Sequence, residues 1–148
     1  RIACALSHWL LWHKCFIEDT PLLILEHDAL FIEKLEHSSI LKSKFDIIGI
    51  NSPAAATRKA HQFHDMVQAG RSLIQPVPTV DEFNVPQGLA GNSAYIIKPT
   101  GAKSILDAAR EHGLWPNDAL MCKQIIPNLG VTKTYYTRVQ GLPSTTVS

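Results

Sequence analysis

Two short, mainly apolar runs constrain the fold of this chain more than any other feature. Residues 22–25 read LLIL, and residues 45–50 read FDIIGI. Runs of this length, bounded by turn-forming residues, are typical of strands that are covered on both faces. Segments with helical periodicity flank both runs. The sequence therefore predicts an α/β layered fold with a largely parallel central sheet.

The first helix is predicted from the apolar spacing of residues 2–17. Pro21 ends it, because proline lacks a backbone N–H and disfavours helix in the residue before it. Further elements are predicted by the same criteria: a mixed, largely helical segment over 31–44, helices over 102–111 and 117–126, and strands over 93–97 and 131–139.

The stretch from residue 54 to residue 84 has the weakest pattern in the chain. A helix capped by Gly70 fits its first part, and the prolines that follow predict a long loop or lid with room for one short strand. The length of 148 residues predicts a single domain spanning residues 1–148. Since the first residues already have a helix-interior pattern, we expect the N-terminus to be truncated.

The composition argues against several classes of protein. With 45% hydrophobic and 18% charged residues, the chain can form a packed core. The net charge of +1, with lysine and arginine scattered, argues against a nucleic-acid partner. We expect no transmembrane segment and no signal peptide. The three cysteines lack CxxC spacing, which fits reduced thiols and a cytoplasmic location.

Glu26 and Asp28 directly follow the first predicted strand. In an extended segment residues two apart point to the same face, so both carboxylates would lie on one side and His27 on the other. Ligands of α/β sheets bind beyond the carboxyl ends of strands, and paired carboxylates suit Mg²⁺ or Mn²⁺. The spacing leaves open the alternative that both acids are solvated and cap the next helix.

Five motifs occur in a fixed order: CALSHWLLWHKC, PLLILEHDALF, FDIIGI, GNSAYIIKPTGAKSIL and WPNDALM. Together they resemble the family 25 glycosyltransferases, which include bacterial lipooligosaccharide sugar transferases and the collagen galactosyltransferases. The resemblance covers most of the chain and leaves residues 54–84 unmatched. It implies a GT-A-like, Rossmann-type fold, a nucleotide-sugar donor, a divalent metal (Mn²⁺ or Mg²⁺) and inversion of the anomeric centre.

The resemblance also implies a donor and metal site. The acidic motif of the family falls on residues 26–28, so Asp28 would be the leading ligand of the metal and the diphosphate, with Glu26 assisting. The Ser-His pair of the family falls on Ser7 and His8, near the donor. Read as ordinary residues, His8 would be a buried histidine bonded to a carbonyl, and Ser7 would bond back to its own helix.

On the acceptor side, the resemblance assigns an aspartate that follows a proline to Asp118, as the candidate general base. It also places Asn92 and Ser93 where small polar residues open a strand and bind sugar hydroxyls. Asp118 would otherwise be a first-turn acid favoured by the helix dipole. The chain departs from the family pattern at His27, which replaces an acid, at Ala3, which replaces a glycine, and in lacking a strand and turn before the first helix.

The resemblance implies transfer of a hexose such as galactose to an oligosaccharide or lipid-linked glycan, in lipopolysaccharide biosynthesis. The enzyme would be cytoplasmic and peripheral to the inner membrane. One alternative is a degenerate, non-catalytic relative that binds a glycan or a protein, which His27 and the missing strand favour. A metal-dependent phosphoesterase is disfavoured, because only Asn51 follows the second strand and a second metal would need more ligands.

Overall fold

Helices and short strands alternate irregularly in the computed structural model, which describes residues 2–54, 56, 59–81, 83 and 88–141. The elements are, in chain order: α1 (Ile2–Glu18), β1 (Leu22–Leu25), β2 (Ala29–Phe31), α2 (His37–Lys42), β3 (Ile47–Gly49), α3 (Ala60–Ala69), β4 (Ile74–Pro76), β5 (Ala94–Ile97), α4 (Pro99–His112), α5 (Asn117–Leu120), β6 (Leu129–Thr132) and β7 (Thr137–Val139).

The main sheet has five strands in the order β1-β5-β3-β6-β4. Its pairs β1–β5, β3–β5 and β4–β6 are antiparallel, and β3–β6 is parallel. The predicted α/β class is confirmed, whereas the prediction of a largely parallel, Rossmann-type sheet is wrong. A buried apolar run reports that both faces of a strand are covered, but it does not encode the direction of the neighbouring strand.

A second, smaller sheet pairs β2 with β7 in antiparallel register. It is tied to the end of β3 by a bridge between Asn51 and Thr137, where the Ser52 N–H also donates to the Thr137 carbonyl at 2.8 Å. On its other side, the Gln140 N–H donates to the Asp28 carbonyl at 2.9 Å. The small sheet therefore lies at the edge of the main sheet where β1 and β3 end.

The main sheet has a buried apolar core on each face. Consecutive strand residues point to opposite faces, so Ile47 belongs to one core and Ile48 to the other. The larger core includes Trp12 of α1 and Ile105 of α4, and these two helices pack against each other. The smaller core includes Ile40 of α2. Both faces are thus covered, as the apolar strand sequences predicted.

Local sequence explains where the two long helices begin and end. α1 ends at Glu18, and the next residue, Asp19, adopts a left-handed φ of 49° two residues before Pro21. α4 begins with Pro99, whose fixed φ suits the first helical position. In its first turn, a Cβ on Gly101 would lie 2.6 Å from the Asp46 carbonyl oxygen, so only glycine permits this approach of α4 to the sheet.

Several predicted element bounds differ from those observed. The predicted helix over 117–126 is only the single turn of α5, and the predicted strand over 131–139 is divided between β6 and β7, which lie in different sheets. The segment 31–44 contains only one short helix, α2. The predicted loop over 54–84 contains α3, which ends at Gly70 as expected, and β4. Its residues 55, 57–58, 82 and 84 lie outside the described part of the chain.

Candidate functional site

One edge of the main sheet collects most of the predicted site residues. Leu25 at the end of β1 pairs with Ala94 at the start of β5, and Gly49 at the end of β3 pairs with Tyr95. The Glu26 N–H extends the first pairing by donating to the Ser93 carbonyl at 2.8 Å. Residues 26–28, 50–52 and 91–93 therefore meet at this edge, which we call the site edge.

The acidic motif forms a turn at the site edge. β1 ends at Leu25, and the Ala29 N–H donates to the Glu26 carbonyl at 3.1 Å, which places His27 and Asp28 at the two central positions of a β-turn. The expectation that residues 26 and 28 leave the same face assumed an extended backbone, and this assumption is wrong. Residue alternation holds only while the strand continues.

Glu26 is the centre of a cluster of four polar side chains. Its Oε1 lies 3.2 Å from His8 Nε2 and accepts from the Cys4 thiol at 3.7 Å, while its Oε2 accepts from the Ser93 hydroxyl at 3.4 Å. Cys4 and His8 are four residues apart on α1, so they lie on the same helix face. We call Cys4, His8, Glu26 and Ser93 the Glu26 cluster.

The electrostatics of the Glu26 cluster favour an ionised carboxylate. The hydrogen bond from His8 lowers the pKa of Glu26, and this effect outweighs burial, which acts in the opposite direction. The pKa of the Cys4 thiol is raised, first by burial and then by the neighbouring negative charge of Glu26. At neutral pH the Glu26 cluster therefore presents the Glu26 carboxylate anion beside a protonated Cys4 thiol.

Tyr95 and Trp12 connect the Glu26 cluster to the core. Both side chains are fully buried. The Tyr95 hydroxyl lies 2.6 Å from His8 Nδ1 and accepts a hydrogen bond from Trp12 Nε1 at 2.8 Å. Neither side chain was predicted to contact the site. The available signal was a phenol inside an otherwise apolar strand, two residues after Ser93, since a buried hydroxyl needs a partner.

Asp28 and Asn92 carry buried polar atoms that are unpaired. Within the described residues, no hydrogen-bond partner reaches Asp28 Oδ1 or either side-chain polar atom of Asn92. Such atoms are rare in native proteins, and each costs free energy unless something pairs it. Both residues belong to the site edge, so their unpaired atoms make the site edge a candidate ligand site.

The two remaining predicted residues lie differently. Asp118 is exposed in the first turn of α5, which packs against α1, and its negative charge contributes to the raised pKa of Cys4. It therefore lies within electrostatic reach of the Glu26 cluster. Ser7 is exposed, and its hydroxyl donates to the Ala3 carbonyl at 3.0 Å, within its own helix. The structure thus joins His8, Glu26 and Ser93, and it leaves Ser7 on the surface of α1.

A group of possible metal ligands and a cavity lie apart from the unpaired atoms of Asp28 and Asn92. The ligand atoms of Cys4, His8 and Glu26 lie within 4.8 Å of one another, close enough to surround a metal ion. A cavity of about 720 Å³ lies between α1 and α4, lined by residues such as Trp9 and Arg110. None of its described lining residues belongs to the Glu26 cluster or to the site edge.

None of the described helices is long and apolar enough to cross a membrane. The family model "Glycosyltransferase family 25 (LPS biosynthesis protein)" matches residues 1–121, from α1 through α5. The match includes every predicted site residue and confirms the resemblance inferred from the motifs. No curated protein and no solved structure matches the chain. Because the match covers most of its length, the chain belongs to glycosyltransferase family 25.

Proposed function

We propose that this chain transfers a hexose such as galactose from a nucleotide-sugar donor to an oligosaccharide or lipid-linked glycan acceptor, with inversion. Family membership supports a glycosyltransferase in general. The observation that carries the finer proposal is the site edge, where an ionised Glu26 lies next to the unpaired buried atoms of Asp28 and Asn92. The hydroxyls of a sugar nucleotide can donate hydrogen bonds to these oxygen atoms. Its anionic diphosphate can bind beside the carboxylates through a cation.

The residues present fit a divalent cation. Asp28 Oδ1 is a buried carboxylate oxygen without a partner among the described residues, and Asn92 Oδ1 is a buried amide oxygen in the same condition. Hard cations such as Mg²⁺ and Mn²⁺ prefer these oxygen ligands. Asp28 would hold the ion, with Asn92 as a second candidate ligand. That Glu26 assists Asp28 in binding the ion stays a prediction. When bound, the cation neutralises negative charge on the diphosphate leaving group.

The chain's own residues divide the remaining work between donor and acceptor. Glu26 and Ser93 bind sugar or ribose hydroxyls, and His8 holds Glu26 in place. Asp118 accepts the proton of the attacking acceptor hydroxyl, as general bases in transferases do. A single displacement from the face opposite the diphosphate then inverts the anomeric carbon. The family description, which names lipopolysaccharide biosynthesis, supports a cytoplasmic enzyme peripheral to the inner membrane.

Asp28→Asn is the variant that tests this proposal. Removing the charge while keeping the shape should abolish both sugar transfer and metal-dependent donor binding, with the thermal midpoint little changed. Calorimetry with UDP and Mn²⁺ measures binding, and release of UDP from UDP-galactose in the presence of glycan acceptors measures transfer. Asp107→Asn is the matched control, since Asp107 is an exposed acid on α4 that pairs with Lys103.

Unchanged transfer by Asp28→Asn would refute the role of Asp28. A wild-type chain that gives no Mn²⁺-dependent heat with UDP would instead favour the alternative of a glycan- or protein-binding relative. His27 favours this alternative, because it places no fixed negative charge at the centre of the turn.

A further inference from the structure

Four side chains form one continuous hydrogen-bonded chain from the core to the site edge. Trp12 Nε1 lies 2.8 Å from the Tyr95 hydroxyl, which lies 2.6 Å from His8 Nδ1, and His8 Nε2 lies 3.2 Å from Glu26 Oε1. Trp12 and Tyr95 are 0% exposed and His8 is 4% exposed. Because bulk water does not reach these three side chains, the protein groups themselves set the direction of each hydrogen bond.

The direction follows from the one member that can only donate. An indole nitrogen has no acceptor capacity, so the Tyr95 oxygen accepts from Trp12. Burial raises the pKa of Tyr95, so its hydroxyl keeps its proton at neutral pH and donates it to His8 Nδ1. An imidazole that accepts at Nδ1 carries its own proton on Nε2, facing Glu26.

We propose that Tyr95 and Trp12 are positioning residues that fix His8 as its Nε2–H tautomer, and thereby hold the Glu26 carboxylate at the site edge. In this tautomer His8 donates to Oε1 without needing a positive charge. Oε2 then carries only the longer, 3.4 Å bond from Ser93 and remains able to accept from a ligand hydroxyl. The step from a fixed Glu26 to donor binding rests on the proposed function, whereas the tautomer does not.

The same tautomer decides how Cys4, His8 and Glu26 are used. Their ligand atoms are close enough for a zinc ion, but a metal binds an unprotonated imidazole nitrogen, and here Nε2 carries the proton. If that proton moved to Nδ1, the Nδ1–H would point at the Tyr95 oxygen, and the Tyr95 O–H would no longer have Nδ1 as its acceptor. An unpaired hydroxyl in a fully buried position is costly. The cluster is therefore a hydrogen-bonded unit in this structure and a poor zinc ligand.

Histidine tautomers can be measured directly by long-range proton–nitrogen correlation on the whole chain with labelled histidine. We expect the His8 ring, assigned with His8→Gln, to show a protonated Nε2 and an unprotonated Nδ1. Tyr95→Phe removes the donor to Nδ1 and should let His8 populate both tautomers. Tyr135→Phe is a matched control, because the Tyr135 hydroxyl lies 2.8 Å from His64 Nδ1 and should affect that histidine alone.

Two results would overturn the assignment. One is a wild-type His8 with its proton on Nδ1, which needs no variant to fold. The other is a shift of the His8 ring signals on adding Zn²⁺ that disappears in Cys4→Ser, since this would show the three residues acting as metal ligands. An unaltered His8 tautomer in a folded Tyr95→Phe chain would likewise remove Tyr95 from the positioning role.

The link to donor binding has its own measurement. Tyr95→Phe should weaken UDP binding roughly tenfold, as expected for loosening a single hydrogen bond, whereas Tyr135→Phe should leave it unchanged. Unaltered UDP binding by a Tyr95→Phe chain with mixed tautomers would contradict the positioning role. A wild-type chain with the expected tautomer and no UDP binding would leave the hydrogen-bonded chain standing and would contradict the proposed function.

Discussion

Among single residues, Asp118 is the one whose proposed role should affect turnover but not donor binding. It is exposed on α5, and its charge reaches the Glu26 cluster through its effect on Cys4. If it is the general base, Asp118→Asn should lower kcat about a hundredfold or more while changing donor affinity little. Steady-state transfer from UDP-galactose gives the first quantity and UDP calorimetry gives the second. Glu111→Gln, another exposed acid, should change neither.

An equal loss of turnover and donor affinity in Asp118→Asn would assign Asp118 to binding instead. The distinction matters because an acid in the first turn of a helix is also favoured by the helix dipole alone. If the helix dipole were the only reason for this acid, Asp118→Asn would lose a little stability and would keep its turnover.

Glu26 links the stability of the fold to pH. Its pKa is lower in the folded chain than its ordinary value of 4.5, chiefly because His8 donates a hydrogen bond to it. The stabilisation is therefore present above pH 4.5 and is lost as the pH falls below that value through the folded pKa. We expect the free energy of unfolding of the wild type to fall more steeply on acidification than that of Glu26→Gln.

Urea unfolding midpoints, measured from neutral pH down to about pH 3, would show this difference as two curves that converge in acid. Glu111→Gln should keep the wild-type slope, because it removes an exposed acid that is not one of the hydrogen-bond partners described for His8. Parallel curves for the wild type and Glu26→Gln would mean that the His8 hydrogen bond does not shift the titration of Glu26.

At the scale of secondary structure, the position of α4 on the sheet depends on Gly101. A methyl group at this position would lie 2.6 Å from the Asp46 carbonyl oxygen and 2.7 Å from Ile47 Cγ1. Although alanine favours helix over glycine, we expect Gly101→Ala to lower the free energy of unfolding by about 1–3 kcal/mol, because α4 must move away from the sheet. Chemical denaturation measures this loss.

Ser104→Ala is the control for Gly101→Ala. Ser104 lies in the same helix, and its hydroxyl only bonds back to the Thr100 carbonyl, so its loss should be neutral or slightly stabilising. A Gly101→Ala chain as stable as Ser104→Ala would show that α4 can shift at no cost.

The elements also show what local sequence can and cannot predict. α1 was predicted almost to its full length, because helical periodicity is a local property that many residues report together. Strand direction was predicted incorrectly, since it depends on partners far away in sequence. The strand pattern of residues 131–139 continues through a point where the chain leaves one sheet for the other. Alternation of side chains gives no warning of such a change.

The candidate site was predictable to a similar extent. His8, Glu26 and Ser93 were named from motifs, and the structure brings them into contact. The motifs gave no geometry, so the turn at residues 26–29 and the bond from Cys4 were not foreseen. The link from Tyr95 and Trp12 to the site was missed, because the sequence does not show which partner a buried hydroxyl or indole N–H finds in the fold.

For the whole molecule, the two cores share one sheet and should unfold together. Ile47 and Ile48 are neighbours, both fully buried, and they point to opposite cores. We expect Ile47→Val and Ile48→Val each to lower the free energy of unfolding by about 0.5–1.5 kcal/mol in a single transition. Ile17→Val, at a position that is 67% exposed, should have little effect.

Thermal unfolding followed by far-ultraviolet and near-ultraviolet circular dichroism would check this cooperativity. Coincident transitions are expected for all three variants. A variant of one core that separates the two signals would show that the small and large cores can unfold independently.

The strand order has a consequence for the way this chain reaches its native state. Among the strands that the structure describes, no two hydrogen-bonded partners follow each other in sequence, and even β3 and β5, joined through Gly49 and Tyr95, are tens of residues apart. No hairpin can therefore nucleate either sheet, and each ladder has to close a long loop before it gains any hydrogen bond. During synthesis β2 and β4 must wait for β7 and β6 to leave the ribosome, which makes these unpaired edges natural targets for chaperones.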